Sequence, residues 1–144
     1  MTHLVTTTPA SCRPSATPSD CSGAWTCGNQ TCRYGHRPAP NAAHYGASKA
    51  ALEQLTRSWA LELAAEGIRV NAVAPGPTES EALAAAGIPE AAIETIKQHE
   101  AARLPLGRRG EPEEVATWIV RLSDPAATWL TGQVLTVDGG LELT

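Results

Sequence analysis

The feature that most constrains this chain is a helix-like segment that runs directly into a short apolar strand. After Asn41, a residue typical of helix N-caps, apolar side chains recur at helical spacing until Gly67 stops the pattern: Leu52, Leu55, Trp59 and Leu63. We therefore predict a helix over residues 42–66. The apolar run 68–74 follows at once and ends at Pro75-Gly76, which indicates a buried parallel strand.

The start of the predicted helix carries a phenol and an ammonium four residues apart, in Tyr45 and Lys49. Side chains at positions i and i+4 share one face of a helix. A nearby ammonium favours the phenolate, so we expect Lys49 to lower the pKa of Tyr45 and make it a usable proton donor or acceptor. The same pair also occurs on solvated helices that have no chemical role.

This segment and the residues that follow it resemble the short-chain dehydrogenase/reductase family, whose signature is Tyr-x-x-x-Lys. The chain reads YGASKAALEQL from Tyr45, PLGRRGEPEEV from Pro105 and VDGG from Val137. The likeness runs from about Pro38 to the C-terminus and implies the second half of that fold. We thus expect an α/β protein with the C-terminal part of a Rossmann-like, doubly wound parallel sheet, with about two strands plus helices.

The resemblance also implies site residues. Tyr45 would be the proton donor, and Lys49 would be its partner and would hold the nicotinamide ribose of NAD or NADP. Cys32 stands where the family places a serine that binds the substrate carbonyl, although a thiol is a weaker hydrogen-bond donor than a hydroxyl. The turn after the strand would touch the nicotinamide end of the cofactor through Pro75, Gly76, Thr78 and Ser80. The substrate would be a small carbonyl compound or alcohol.

Residues 1–40 differ in composition from residues 41–144, which we take as the family domain. They hold all four cysteines, many Ser, Thr and Pro residues and little aliphatic periodicity, so we predict a mostly disordered segment. The cysteines stand at positions 12, 21, 27 and 32, a spacing that matches no common zinc pattern. We expect free thiols and no metal site.

The glycine-rich turn of a dinucleotide site is not evident before Tyr45. The glycines there are Gly23, Gly28 and Gly35, and no two of them are separated by a single residue. We therefore expect a truncated relative that does not bind the dinucleotide alone. The strand over 68–74 would also have an unpaired edge, which pairing through the helix 42–66 could cover, either with a second copy or with a full-length relative.

The remaining segments extend the same α/β pattern. Residues 81–104 predict two short helices broken at residues 87–89, in the region where the family covers its substrate. A helix opening near Pro112 would bury a stripe of apolar side chains, and a strand over 133–137 would follow it. The members of that stripe are Val115, Trp118, Ile119 and Leu122.

Charge and hydropathy limit the partners. The formal net charge is −4, which does not favour a nucleic-acid surface. The sequence contains no apolar run of membrane-spanning length and no apolar leader after Met1, so we expect neither membrane insertion nor export, and a cytoplasmic location.

Three functions stay open at this stage. The first is an oxidoreductase of the NAD(P)-dependent carbonyl/alcohol type, truncated and weak in cofactor binding. The second is a non-catalytic dimerisation partner of full-length relatives. The third is a cofactor-free acid/base catalyst that uses Tyr45 and Lys49 alone.

Overall fold

The computed structural model describes residues 5–7 and 26–144. Within them the chain forms four strands, four α-helices and three short 3-10 helices. The strands are β1 (Val5–Thr7), β2 (Thr26–Gln30), β3 (Arg69–Pro75) and β4 (Val134–Val137). The α-helices are α1 (Ala43–Glu62), α2 (Ala82–Ala85), α3 (Glu90–Arg103) and α4 (Pro112–Ser123). This arrangement confirms the predicted α/β class.

The strands form one sheet in the order β1-β2-β3-β4. β2 runs parallel to β3 with Cys27 opposite Val70, and β3 runs parallel to β4 with Val73 opposite Leu135. β1 adds an antiparallel pair to β2. Three neighbouring parallel strands therefore end at the same edge of the sheet, which is where open α/β sheets bind ligands.

The expectation of an unpaired edge beside the strand over 68–74 is wrong. β2 covers that edge, and the pairing continues past the strand through the Thr31 amide, which donates to the Val73 carbonyl at 2.9 Å. β2 was missed because TCGNQ has neither alternation nor a run of branched apolar residues. The predicted disorder over residues 1–40 falls largely on positions outside the described residues.

β3 is the centre of the core. Six consecutive residues, from Arg69 to Ala74, are buried, as expected for a parallel strand covered on both faces. Val73 packs with Val115 and Leu122 of α4. Trp118 was expected in the same stripe but is 40% exposed, so the buried face of α4 is narrower than predicted.

The face that α1 buries differs from the one that its leucines suggested. The buried residues of the helix are Glu53, Thr56 and Ala60. Leu55, from the predicted stripe, is 40% exposed, and Leu61 is 82% exposed. The most buried face of α1 is therefore made by polar and small side chains, and Leu52, Trp59 and Leu63 are half-buried beside it.

Element boundaries follow local chemistry in most places. Asn41 was predicted as the N-cap of α1, but Ala42 occupies that position, and Asn41 instead has a positive φ of 62°. The helix predicted over 42–66 ends earlier, at Glu62, and Gly67, with a φ of 73°, instead ends the short 3-10 turn that follows it. α4 begins at Pro112 with a capping box between Glu111 and Glu114, which accounts for its acidic start.

None of the helices in the described part of the chain combines the length and apolarity needed to cross a bilayer. Cys32 carries a free thiol, whereas Cys12 and Cys21 lie outside the described residues. Among the described side chains no three His, Cys, Asp or Glu residues come together as metal ligands would.

Candidate active site

An open cleft of about 580 Å³ lies at the carboxyl ends of β2 and β3. Its walls come from the residues after β2, the first turns of α1, the turn after β3 and one side of α4. Every residue that the sequence nominated for the site lines this cleft: Cys32, Tyr45, Lys49, Pro75, Gly76, Thr78 and Ser80. The fold therefore brings together two groups of candidates that are separated by more than a helix in the sequence.

Tyr45 and Lys49 occupy the first two turns of α1, on the side of the cleft. The Lys49 ammonium lies over the Tyr45 ring, with Nζ 5.4 Å from the ring centre. The charge thus faces the π system, an attractive arrangement of the cation–π type. Tyr45 is half exposed and lines the cleft.

The lowered pKa that we expected for Tyr45 is not found. Partial burial is the main cause that raises the pKa of Tyr45 to about 12, and the neighbouring Cys32 thiol and Tyr34 phenol add to it. Each of these neighbours would carry negative charge when ionised and so disfavours the phenolate. At neutral pH, Tyr45 is therefore a protonated phenol, the form that donates a proton.

Cys32 lies two residues after the end of β2 and stands beside Tyr45. Its side chain is half-buried and not in a disulfide. Tyr34, which the sequence reading did not nominate, also contacts Tyr45, with ring centres 6.1 Å apart and planes at 75°. The edge-to-face contact fixes the phenol ring of Tyr45 from the loop side.

The turn after β3 forms another wall of the cleft. Gly76 is required there because a Cβ at this position would lie 2.6 Å from the Asp138 Cα, so only glycine allows the turn to pass the end of β4. The Thr78 hydroxyl donates to the Gly76 carbonyl at 3.0 Å. This bond shapes the turn from which Thr78 and Ser80 line the cleft.

Arg109 holds this turn from outside the cleft. Its buried guanidinium donates to the Thr78 carbonyl at 2.5 Å and forms ion pairs with Glu79, at 2.8 Å, and with Glu100 of α3. Lys97 of α3 also pairs with Glu79, at 2.6 Å, and Lys97 is the main cause that lowers the pKa of the Glu79 carboxyl. The position of the turn is thus coupled to α3.

Sequence reasoning also missed the wall that α4 contributes. Pro112, Val115, Ala116 and Ile119 line the cleft. The helical spacing of Val115 and Ile119 had indicated a packing face only. The sequence did offer a signal for this second role. A helix face that packs near the carboxyl end of a parallel strand also borders the edge of the sheet where ligands bind.

The three parallel strands and the cleft at their carboxyl ends define a Rossmann-like α/β architecture. A family model described as enoyl-(acyl carrier protein) reductase matches residues 29–142, beginning upstream of Pro38. The chain belongs to the short-chain dehydrogenase/reductase family of oxidoreductases.

Individual relatives agree with this assignment. The chain is 47% identical over 102 residues to the 3-oxoacyl-(acyl-carrier-protein) reductase FabG of Thermotoga maritima. The matched region covers 71% of this chain and 39% of the relative. A short-chain dehydrogenase/reductase from Caenorhabditis elegans, solved with cofactor, matches with a TM-score of 0.77 at 35% identity over 83% of this chain and 46% of that one.

A gluconate 5-dehydrogenase from Burkholderia cenocepacia, solved in complex with NADP and tartrate, matches with a TM-score of 0.72 and 30% identity, again over 83% of this chain and 45% of its own. The chain therefore spans less than half the length of these relatives.

Proposed function

We propose that the cleft is the proton-transfer and nicotinamide side of an NAD(P)-dependent site that interconverts small carbonyl compounds and alcohols. The observation that carries this proposal is the convergence of two sets of residues on one cleft. One set is Tyr45, Lys49 and Cys32, and the other is the turn from Pro75 to Ser80. Membership of the family supports the reaction type.

The residues present fit the nicotinamide end of the cofactor. A cleft of about 580 Å³ is of the size that holds one small ligand group with a substrate beside it. Lys49 would hold the nicotinamide ribose, and Thr78 and Ser80 offer hydroxyls from the turn after β3, which lines the same cleft. A bound nicotinamide would supply or accept the hydride.

Tyr45 carries the proton in this proposal. With a pKa of about 12 its hydroxyl stays protonated at neutral pH and can donate to a carbonyl oxygen placed in the cleft. Cys32, next to that hydroxyl, would help to orient the carbonyl but would stabilise it less than the family serine. Lys49 lies over the Tyr45 ring and would stabilise the negative charge that develops as the proton leaves.

The residues before Tyr45 bear on the adenosine side of the dinucleotide. The three glycines before Tyr45 lack the spacing of a pyrophosphate-binding turn. We therefore propose that this chain by itself binds NADH and NADPH weakly. Titration with either dinucleotide, followed by fluorescence and by calorimetry, tests this. Saturation at micromolar concentrations would contradict it.

A second candidate function is a dimerisation partner, either for a second copy or for a full-length relative. It is favoured by Leu55 and Leu61, which leave apolar surface on the exterior of α1 while Glu53, Thr56 and Ala60 face the protein. Light scattering after size-exclusion chromatography, with and without a full-length relative, tests it. Leu55→Glu should weaken association, and Gln54→Glu, on an adjacent exposed position, should not. A wild-type monomer in both mixtures would contradict the candidate.

Two further expectations concern a reaction without cofactor and the location of the chain. A cofactor-free acid/base reaction is disfavoured, because the raised pKa of Tyr45 leaves little phenolate to act as a base near neutral pH. A cytoplasmic location stays a prediction from the sequence.

A further inference from the structure

The loop that joins β2 to α1 carries a histidine held between two carboxylates. The Nδ1 atom of His36 lies 2.7 Å from Glu53 Oε1 of α1, and its Nε2 atom lies 3.0 Å from Glu142 Oε1 near the C-terminus. Glu53 and Glu142 are far apart in the sequence, so the imidazole connects the site loop, α1 and the C-terminal segment. The proposed reaction does not use this cluster.

Both ring nitrogens of His36 face acceptors. An ionised carboxylate accepts hydrogen bonds but donates none, and a neutral imidazole has one N–H group. The imidazolium has two, so it alone can donate to Glu53 and Glu142 at once. When His36 loses its proton, one of the two contacts must weaken.

The surroundings decide which contact is lost. Glu53 is buried, and Arg57 of α1 also pairs with it, at 3.3 Å. Glu142 is the more exposed partner, with 37% of its side chain accessible. On the loop itself, Arg37 donates to the carbonyls of Leu141, Glu142 and Thr144. Deprotonation of His36 should therefore free the Glu142 carboxylate first. The hydrogen bonds of Arg37 would then be what still joins the loop to the C-terminal segment.

The same loop carries two residues of the cleft region. Cys32 lines the cleft, and Tyr34 packs edge-to-face on Tyr45. Gly35 lets the loop lie directly on α1, because a Cβ there would collide with the Glu53 carboxylate and touch the Lys49 backbone. A shift of His36 relative to Glu53 thus moves the adjoining loop residues and reaches the Tyr34 ring, which contacts Tyr45.

We propose that His36 is a pH-dependent positioning residue: its protonated form holds the C-terminal segment against the loop and sets Cys32 and Tyr34 relative to Tyr45. The proposal concerns the same site as the proposed function. Its test requires neither dinucleotide nor turnover, so the two can fail separately.

The chain offers a direct reporter because it has two tyrosines, and they contact each other. With tyrosine rings labelled by ¹³C, NMR spectra of the full chain between about pH 5 and about pH 8 cover the usual range of histidine titration. We expect the Tyr34 and Tyr45 ring signals to move with one common midpoint. In the same range, amides of the C-terminal 3-10 helix, Leu141–Leu143, should lose about tenfold in exchange protection.

Three variants distinguish a pH-dependent positioning role of His36 from a purely structural role of the same residue. His36→Gln should remove the transition, whereas His44→Gln, an exposed histidine beside Tyr45, should keep it. Glu142→Gln leaves the His36–Glu53 contact in place; it should remove the loss of amide protection and leave a smaller ring shift. A transition that persists in His36→Gln, or one that vanishes in His44→Gln, would overturn the proposal. So would a wild-type chain whose tyrosine signals do not change.

Discussion

The Lys49 ammonium lies 5.4 Å from the centre of the Tyr45 ring and faces the ring itself. The spacing Tyr-x-x-x-Lys predicts that the two side chains meet, and they do. We expected Lys49 to lower the pKa of the Tyr45 phenol. Instead, partial burial and the neighbouring Cys32 and Tyr34 groups raise it. The pair is therefore arranged for a protonated tyrosine with a nearby cation.

The first prediction concerns the titration of Tyr45. Its phenol should ionise near pH 12, where an unperturbed tyrosine ionises near 10. Replacement of Cys32 by alanine removes one of the causes of the raised pKa, so the midpoint should fall. NMR titration of the tyrosine rings measures both. A wild-type midpoint below 10 would mean that Lys49 dominates, and an unchanged midpoint in Cys32→Ala would contradict the role of the thiol.

The second prediction concerns the close passage of Gly76 past Asp138. Gly76→Ala places a methyl group against backbone atoms that cannot rotate away. The ends of β3 and β4 must separate, at a cost of about 1–3 kcal/mol in the free energy of unfolding. Urea unfolding of this variant and of Glu81→Ala, an exposed position on the same loop, gives the comparison. Equal stability of the two variants would argue against the close approach.

The third prediction concerns Arg109 and the turn that it holds. Arg109→Met leaves Glu79 and Glu100 without a buried cationic partner and removes the hydrogen bond to the Thr78 carbonyl. We expect a loss of about 1–2 kcal/mol in stability, because Glu79 and Glu100 are partly solvated and Lys97 still pairs with Glu79, and faster amide exchange at Glu79, whose N–H donates to the Gly110 carbonyl. Arg103→Met, at an exposed arginine of α3, serves as control. If both variants lose the same stability, Arg109 has no special part in holding the turn.

The fourth prediction concerns Glu114 at the start of α4. Hydrogen bonds from Arg108 and from the Glu111 amide lower the pKa of the Glu114 carboxyl to about 2. Because this pKa lies below that of the same carboxyl in the unfolded chain, the ionised Glu114 side chain stabilises the folded state. This contribution is fully present above about pH 4.5 and is lost as the pH falls toward 2. Carboxyl NMR should show a midpoint near 2 for the wild type.

Arg108→Gln removes the main cause, so the Glu114 midpoint should rise toward the ordinary range. Arg121→Gln, in the last turn of the same helix, should leave it in place. A wild-type midpoint near 4.5 would show that the Arg108 contact does not persist in solution.

Much of the fold and the site followed from the sequence because the signals were local. Gly67 ends the 3-10 turn after α1, Pro112 begins α4, and the apolar run after Gly67 forms a buried strand, each for reasons that lie within a few residues. The nominated site residues share a cleft because they stand at the carboxyl ends of neighbouring parallel strands.

What the sequence did not reveal depends on contacts between distant segments. β2 has a weak strand pattern and exists through pairing with β3. The buried face of α1 carries Glu53, which no hydrophobic pattern could select, because His36 and Arg57 satisfy its charge. The raised pKa of Tyr45 likewise depends on Cys32 and Tyr34, whose approach is set by the fold of the loop.

The central claim is that Tyr45 transfers the proton in a nicotinamide-dependent reaction in this cleft. The most direct test follows NADPH oxidation by the chain with a small activated ketone, at millimolar cofactor, for wild type, Tyr45→Phe and Tyr34→Phe. The account predicts measurable turnover that falls by about 10²-fold or more in Tyr45→Phe and by much less in Tyr34→Phe. Equal rates in wild type and Tyr45→Phe, or no turnover in the wild type, would contradict it.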